Sequence, residues 1–336
     1  MFKVRINDGL REFDTPGGAS LLASLADQGV WLPSICGGAT SCGECACLAR
    51  GKFAAASSVE LALLGEDRCA RGMRLACSIH VASDIELWIP DEVLALRKRS
   101  VRVASIGMIA RDTREIVLES TDGPFEFRPG QYLRVFIPPH GGLAEGFQRA
   151  YSFASPPGGT RVSIIVRRTP GGLASVWLHD VLAIGDPLDI VGPFGSFDLP
   201  EGSSRVVCVA GGTGLAPFFP ILSAMETSGA LARRGLDLVF GAKERVDLFG
   251  LSELEGFESR VPSFRFLPVL QEPDEAWRGE SGLVTDVVES LLTKAGDAAK
   301  GWKAAICGSP GMVKACERVL ARHGISGEAI RRDSFA

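Results

Sequence analysis

The sequence has no uninterrupted apolar run of the roughly 18 residues that a membrane-spanning helix needs, so no membrane span is expected. It has no excess of basic residues. Its 36 lysines and arginines stand against 40 acids, a net charge of −4, without the cationic footprint of nucleic-acid binding. There is no internal repeat and no low-complexity tract. The opening residues, MFKVRINDGLREFD, lack the apolar stretch of a secretory signal, and a cytoplasmic location is the expectation. Nine cysteines cannot all pair, and cytoplasmic thiols stay reduced, which disfavours a disulfide framework. What is present is a 336-residue chain with 46% hydrophobic and 23% charged residues. That is the balance of a globular protein, in a chain too long for one ordinary core.

The pattern divides the chain. Residues 1–92 read as a small α+β unit: FKVRINDGLREFDT alternates around Asn7-Asp8-Gly9, a hairpin signal, and Leu21, Leu22 and Leu25 follow at helical spacing up to Gly29. The charged stretch ALRKRSVR (95–102) reads equally as a linker or as a solvated helix end, and 93–100 is taken as the linker. Residues 101–200 hold six short β-like runs, VRVASIGMI, REIVLES, QYLRVFIP, RAYSFAS, VSIIVRR and DPLDIVGPF, broken by turns and by one helix near Leu173–Leu182. Strands at that spacing predict a six-stranded antiparallel barrel. In 201–336 the apolar runs RVVCVA, LDLVFGA, FRFLPVL and KAAICGS alternate with helical segments. That alternation predicts a parallel, Rossmann-like sheet with helices on both faces and ligands at the strands' carboxyl ends.

One loop concentrates thiols: SICGGATSCGECAC (34–47) has four cysteines in its last twelve residues. Cys36 and Cys42 are separated by five residues, and Cys42 and Cys45 by two. Cys69 and Cys77 come next, with 31 residues between Cys45 and Cys77. A compact loop of three thiolates plus one distant thiolate is a [2Fe–2S] arrangement. Gly37, Gly38 and Gly43 permit the tight turns that aim backbone N–H groups at a negatively charged cluster. A four-thiolate zinc site is the competing reading, although zinc knuckles usually come as two short C-x-x-C pairs. Cys47 falls on the same side as Cys45 if the chain is extended, so alternation alone leaves it a candidate. Cys69 reads by default as a small buried hydrophobe.

CGGATSCGEC together with RLACS (74–78) resembles the N-terminal ferredoxin of bacterial reductases that serve multicomponent oxygenases. The five-residue gap departs from the plant-type loop, which has four, and matches adrenodoxin-like ferredoxins and the flavin subunit of the sodium-pumping NADH:quinone oxidoreductase. The resemblance implies a β-grasp ferredoxin with Cys36, Cys42, Cys45 and Cys77 as metal ligands.

Further motifs extend the resemblance in order along the chain. FRPGQYLRVFIP (127–138) followed by Arg149-Ala150-Tyr151-Ser152 resembles the R-x-Y-S element of the ferredoxin–NADP reductase superfamily. There the arginine pairs with a flavin pyrophosphate, the tyrosine lies flat on the isoalloxazine, and the serine reaches N5, where hydride arrives. Val166 and Arg168 on the next strand, and Gly171, Gly172, Leu173, Ala174 and Ser175 of PGGLAS, join the cofactor-binding candidates. The last five open a helix, a ready anion site. GPFGSF (192–197) matches the superfamily's barrel exit. VCVAGGTGLAP (207–217) departs from G-x-G-x-x-G but resembles the superfamily's own pyrophosphate loop, which makes Gly212, Thr213, Gly214 and Pro217 nucleotide candidates. In GAKERVDLF (241–249), Gly241 and Lys243 stand where the adenosine ribose is read. Lys243 and Arg245 favour a 2′-phosphate, whereas Glu244 and Asp247 oppose one, so these charges leave the nucleotide open. ICGSPGM (306–312) resembles the C-G-x-P element and places Cys307 and Gly308 near the nicotinamide. Phe335, the only aromatic after Trp302, is assigned as the ring that covers the isoalloxazine. Ser152, Cys307 and Phe335 are the catalytic candidates.

The ferredoxin-first order implies FAD, and similarity to oxygenase reductases favours NADH. The resemblance as a whole implies a monomeric reductase that carries electrons from NADH through FAD to a [2Fe–2S] cluster, with a Rieske or non-haem iron oxygenase as acceptor. A soluble relative of the NADH:quinone oxidoreductase flavin subunit, and a non-catalytic four-cysteine metal scaffold, are the alternatives.

Overall fold

The structure is a computed structural model that describes residues 1–202 and 205–335. It comprises two compact units. One holds Met1–Ser100, Leu133–Ala150 and Asp189–Phe194; the other holds Val101–Tyr132, Tyr151–Leu188 and the chain from Gly195 onward. Among the described residues no helix is long and apolar enough to cross a membrane.

In the first unit a five-stranded sheet has the order Arg11–Thr15, Phe2–Ile6, Ile85–Trp88, Ala46–Gly51, Met73–Leu75. The first two strands form the expected hairpin, from Phe2↔Thr15 to Ile6↔Arg11. Its turn residues Asn7, Asp8 and Gly9 all have left-handed φ, which these residue types tolerate best. Alternation sends Val4 and Ile6 inward, fully buried. Phe2–Ile6 also pairs in parallel with Ile85–Trp88, and a parallel pair requires a crossover. The helix Leu21–Asp27 lies on that crossover and buries Leu21 and Leu25 in the same core. This mixed sheet with its helix is the β-grasp arrangement. The charged stretch at 95–102 passes from a short helix, Asp91–Leu94, into a strand that begins at Lys98. Lys98 Nζ lies 2.6 Å from Asp189 and 4.9 Å from the Phe136 ring centroid.

The six runs read between 101 and 200 are six strands of one sheet. Their order is Arg161–Arg167, Thr113–Ser120, Lys98–Ala110, Pro187–Phe194, Tyr132–Ile137, Phe147–Ser152. Antiparallel ladders join Arg161↔Glu119 through Arg167↔Thr113, and Val101↔Ser120 through Ala110↔Thr113.

The third sheet is parallel, in the order Glu280–Ser281, Phe264–Leu270, Leu236–Ala242, Val206–Gly211, Lys303–Gly308, Ile330–Ser334. The predicted strand LDLVFGA has its predicted bounds, Leu236–Ala242, and the helices Phe218–Thr227, Val284–Ala295 and Pro310–Arg322 alternate with the strands. Because the strands are parallel, the ends at Gly211, Ala242 and Gly308 share one edge, where ligands of such sheets bind.

Candidate functional site

The thiol loop is built by its backbone. Gly37, Gly38, Thr40 and Gly43 have φ of 63°, 95°, 55° and 76°, a run of left-handed turns that curls the chain on itself. Cys42 Sγ thereby comes to 3.2 Å from Cys36 Sγ. Cys77 is delivered from another direction. Strand Met73–Leu75 pairs antiparallel with the start of Ala46–Gly51, Ala46 facing Leu75, and the Ala76 N–H donates to Cys45 O at 3.0 Å. Cys45 and Cys77 Sγ then stand 3.4 Å apart, with the Thr40 hydroxyl 3.5 Å from Cys77 Sγ.

The four thiols are two close pairs. In a four-cysteine [2Fe–2S] site each iron takes two thiolates, so one pair per iron fits. Among the described residues no three His, Cys, Asp or Glu side chains gather round one point as a single ion would require. Each pair holds one thiol low. Cys77 falls to about 6 because the Cys45 thiol donates to it; burial opposes this, and hydroxyls of Thr40 and Ser78 add to it. Cys36 falls to about 7: burial pushes it up, but backbone N–H groups of Ser41, Cys42 and Gly38 and the Cys42 thiol outweigh burial. Thiolate is the ligating form. Cys47 is 3% exposed, burial pushes its thiol up to about 12, and it packs in the core of this unit. Cys69 sits on the helix Glu66–Ala70, its thiol directed at Glu60 O.

In the same unit the guanidinium of Arg149 lies over the Phe147 ring at 4.8 Å and donates to Gln148 O at 2.8 Å. Its Nη1 is 3.3 Å from where a Cβ on Gly37 would stand. The residue expected at a flavin pyrophosphate therefore touches the thiol loop.

Behind that loop, Arg74 and Glu60 form a buried ion pair missed by sequence reasoning, with side chains 7% and 1% exposed. Arg74 Nε and Nη2 reach Glu60 Oε1 and Oε2 at 3.0 and 2.9 Å, and Nη1 donates to Ala54 O. Glu60 also accepts from Leu75 N–H and closes a capping box with Ser57 on the helix Ser58–Leu64. The pair thus ties that helix to the strand that ends two residues before Cys77.

In the second unit, Tyr151 and Ser152 end the strand Phe147–Ser152, both half-buried. The Phe153 N–H donates to Gln131 O, fixing this exit beside the Pro129-Gly130 turn. Val166 is buried, and its carbonyl lies 3.0 Å from His179 Nε2. Arg168 grips Asp180 with two hydrogen bonds of 3.2 and 2.7 Å. Its neighbour Arg167 is the residue that approaches the nucleotide loop: Nη1 lies 3.9 Å from a Cβ position on Gly212. The strand ends at Arg167, and Arg168 lies just beyond it. Gly171, with φ of 72°, and Gly172 turn the chain into the helix Leu173–Asp180, and among the described residues no side chain caps its start. The Ser175 hydroxyl is committed to the loop, accepting from Thr169 N–H at 3.0 Å.

Gly212, Thr213 and Gly214 form a tight turn that leads through Pro217 into the helix Phe218–Thr227. A Cβ on Gly214 would stand 2.2 Å from Cys307 O, so only glycine lets this loop lie against the neighbouring strand. Cys307 is fully buried; burial, then the Asp333 carboxylate 3.9 Å away, push its thiol well up, and it stays protonated at neutral pH. The Phe335 N–H donates to Gly308 O at 3.2 Å, and its ring packs on the core of this unit. Gly241 and Lys243 lie where the strand Leu236–Ala242 ends; Lys243 Nζ is 3.4 Å from Glu272.

The comparisons agree in chain order. Residues 4–82 match the 2Fe-2S iron-sulfur cluster binding domain, 100–199 the oxidoreductase FAD-binding domain, and 208–318 the oxidoreductase NAD-binding domain. Fold and thiol geometry together define an iron–sulfur flavoprotein that oxidises a nicotinamide nucleotide. An aromatic O-demethylase reductase subunit from an Amycolatopsis species is 34% identical, with 98% of each chain covered. The xylene/toluene monooxygenase electron transfer component of Pseudomonas putida is 33% identical over 96% of this chain and 91% of its own. A crystal structure described as the Amycolatopsis cytochrome P450 reductase GcoB superposes with a TM-score of 0.74 at 32% identity, covering 100% of this chain and 99% of that one. The chain belongs to the family of NADH-dependent reductase components of bacterial oxygenase systems, electron-transfer oxidoreductases with a [2Fe–2S] ferredoxin joined to an FAD- and NAD-binding module.

Proposed function

We propose that this chain, acting as a monomer, supplies electrons to a terminal oxygenase whose centre is a Rieske cluster or another non-haem iron site. The two thiol pairs at 3.2 and 3.4 Å, one for each iron, carry the cluster part of this reading, and the similarity to a xylene/toluene monooxygenase electron transfer component supports an oxygenase as acceptor. A haem oxygenase is the second reading, favoured by the 32%-identical structure described as a cytochrome P450 reductase. Residues 1–92, 101–200 and 201–336 serve as ferredoxin, flavin and nucleotide modules, with 93–100 as the link; the family matches at 4–82, 100–199 and 208–318 support this division.

When bound, FAD would supply the exchange between two-electron hydride chemistry and single-electron release, and the cluster would supply one-electron carriage. The protein's residues position and shield. Cys36, Cys42, Cys45 and Cys77 hold the irons as thiolates. Tyr151 and Ser152 contact the flavin ring, and the backbone of 171–175 its pyrophosphate. Arg149 would bring a cation to a flavin phosphate. Gly212, Thr213 and Gly214 leave room for the nucleotide phosphates, with Arg167 as their cation. Cys307, neutral and buried, packs beside the nicotinamide without adding charge. Phe335 would cover the isoalloxazine on the side where the nicotinamide must bind.

Two results are expected. Flavin released by acid should be FAD; recovery of FMN would refute the cofactor choice. Phe335→Ala should shift the flavin absorbance and change the hydride-transfer rate about tenfold, ~1.4 kcal/mol of barrier, while the cluster EPR signal is preserved. An unshifted spectrum with a wild-type rate in stopped flow would remove Phe335 from the site.

A further inference from the structure

The sequence places Lys243, Glu244, Arg245 and Asp247 together, and as a list these charges cancel. In the second unit they are sorted. The two acids turn to one partner: Arg111 donates to both carboxylate oxygens of Glu244 at 3.0 and 3.1 Å and to both of Asp247 at 2.9 and 2.8 Å. The Arg111 N–H also donates to Val246 O at 2.8 Å. The two cations turn elsewhere. Lys243 lies 3.4 Å from Glu272, and Arg245 makes a fork of two 2.7 Å hydrogen bonds to Asp274.

These carboxylates are held in place by backbone. The Gln271 and Glu272 N–H groups donate to Ala242 O and Lys243 O at 3.1 and 2.8 Å, extending the ladder past the strand Phe264–Leu270 and setting Glu272 beside Lys243. Asp274 Oδ1 accepts from Ala276 N–H at 2.9 Å, and Arg245 lies over Trp277 at 5.4 Å. Arg245 holds the Asp274 carboxyl below its usual range, so it stays ionised through the neutral region. Three cations here meet four carboxylates, leaving one negative charge at the edge where an adenosine ribose is read.

We propose that Glu272 and Asp274 set the nucleotide choice: they occupy Lys243 and Arg245 and repel the dianionic 2′-phosphate that these cations would otherwise bind. The proposal rests on the NADH reading and adds the residues that enforce it. Each pair is about half exposed, so neither is strong by itself, and a phosphate would capture both cations once the carboxylates lost their charge.

The test is the ratio of kcat/KM for NADPH to that for NADH, read with ferricyanide on the FAD-loaded protein. In Glu272→Gln/Asp274→Asn the ratio should rise by about tenfold or more, the scale of one charge-assisted hydrogen bond. The single variant Asp274→Asn should move it in the same direction, and adding Arg245→Ala to the double variant should remove most of the gain. A wild-type protein that prefers NADH, with a ratio unmoved in both carboxylate variants, overturns this proposal and leaves the NADH reading standing. A gain that survives Arg245→Ala also overturns it. A wild-type protein that uses NADPH equally or better overturns the NADH reading itself.

Discussion

Replacing Cys77 with serine is expected to remove the cluster's visible and EPR signals and to bring NADH-driven cytochrome c reduction down to background. Ferricyanide reduction through the flavin should persist. Cys77 Sγ stands 3.4 Å from Cys45, and its pKa of about 6 makes it the thiol most readily ionised in its pair. A serine hydroxyl cannot match a thiolate as an iron ligand. Cys42→Ser should do the same, since it breaks the other pair. Cys69→Ser and Cys47→Ser should keep the cluster, because one thiol faces Glu60 O and the other is core packing. A cluster that survives Cys77→Ser and disappears in Cys69→Ser would reverse the ligand assignment.

The second large effect is expected at the buried ion pair. Glu60→Ala should destabilise the ferredoxin module by about 3–5 kcal/mol, because it strands a buried guanidinium that also lies over Phe53 at 4.9 Å. The cluster should become labile, since the strand Met73–Leu75, which leads into Cys77, loses its tie to the helix Ser58–Leu64. Replacing both partners, as in Glu60→Leu/Arg74→Met, should recover much of the loss, because no charge then remains uncompensated. A double variant no more stable than Glu60→Ala in thermal melts would contradict the ion-pair account.

The pair also gives a pH dependence. Burial alone would raise the Glu60 pKa, but Arg74, the Leu75 N–H and the Ser57 N–H hold it below its ordinary value of 4.5. A folded-state pKa below the unfolded one means that stability is present above about 4.5 and lost as pH falls through the depressed value. In Glu60→Ala that acid-side loss should be smaller.

Much of this was legible in the sequence because local patterns encode it. The hairpin turn at Asn7-Asp8-Gly9, the six barrel strands and the alternating strands and helices after 205 are short-range signals of period and turn chemistry, and the structure has them. The thiol spacing is legible for a related reason: three cysteines in one loop are neighbours whatever the rest of the chain does.

What was not legible depended on partners far along the chain. Glu60 and Arg74 are ordinary surface residue types that only folding makes a buried pair. The strands Met73–Leu75 and Ile85–Trp88 are too short to show a period. Arg167 and Arg168 are adjacent in sequence, and only their partners in the fold, Gly212 for one and Asp180 for the other, separate them. The charges after Ala242 cancelled on paper, because Arg111, Glu272 and Asp274 could not be known to face them.

Anaerobic stopped-flow mixing with NADH, followed at the flavin and cluster absorbances and by EPR of quenched samples, tests the central claim most directly. The flavin should bleach first, the cluster should follow, and one reduced [2Fe–2S] cluster should be found per chain. In Cys42→Ser the flavin phase should persist alone. A cluster reduced ahead of the flavin, or a protein that holds zinc in place of iron, would contradict the account.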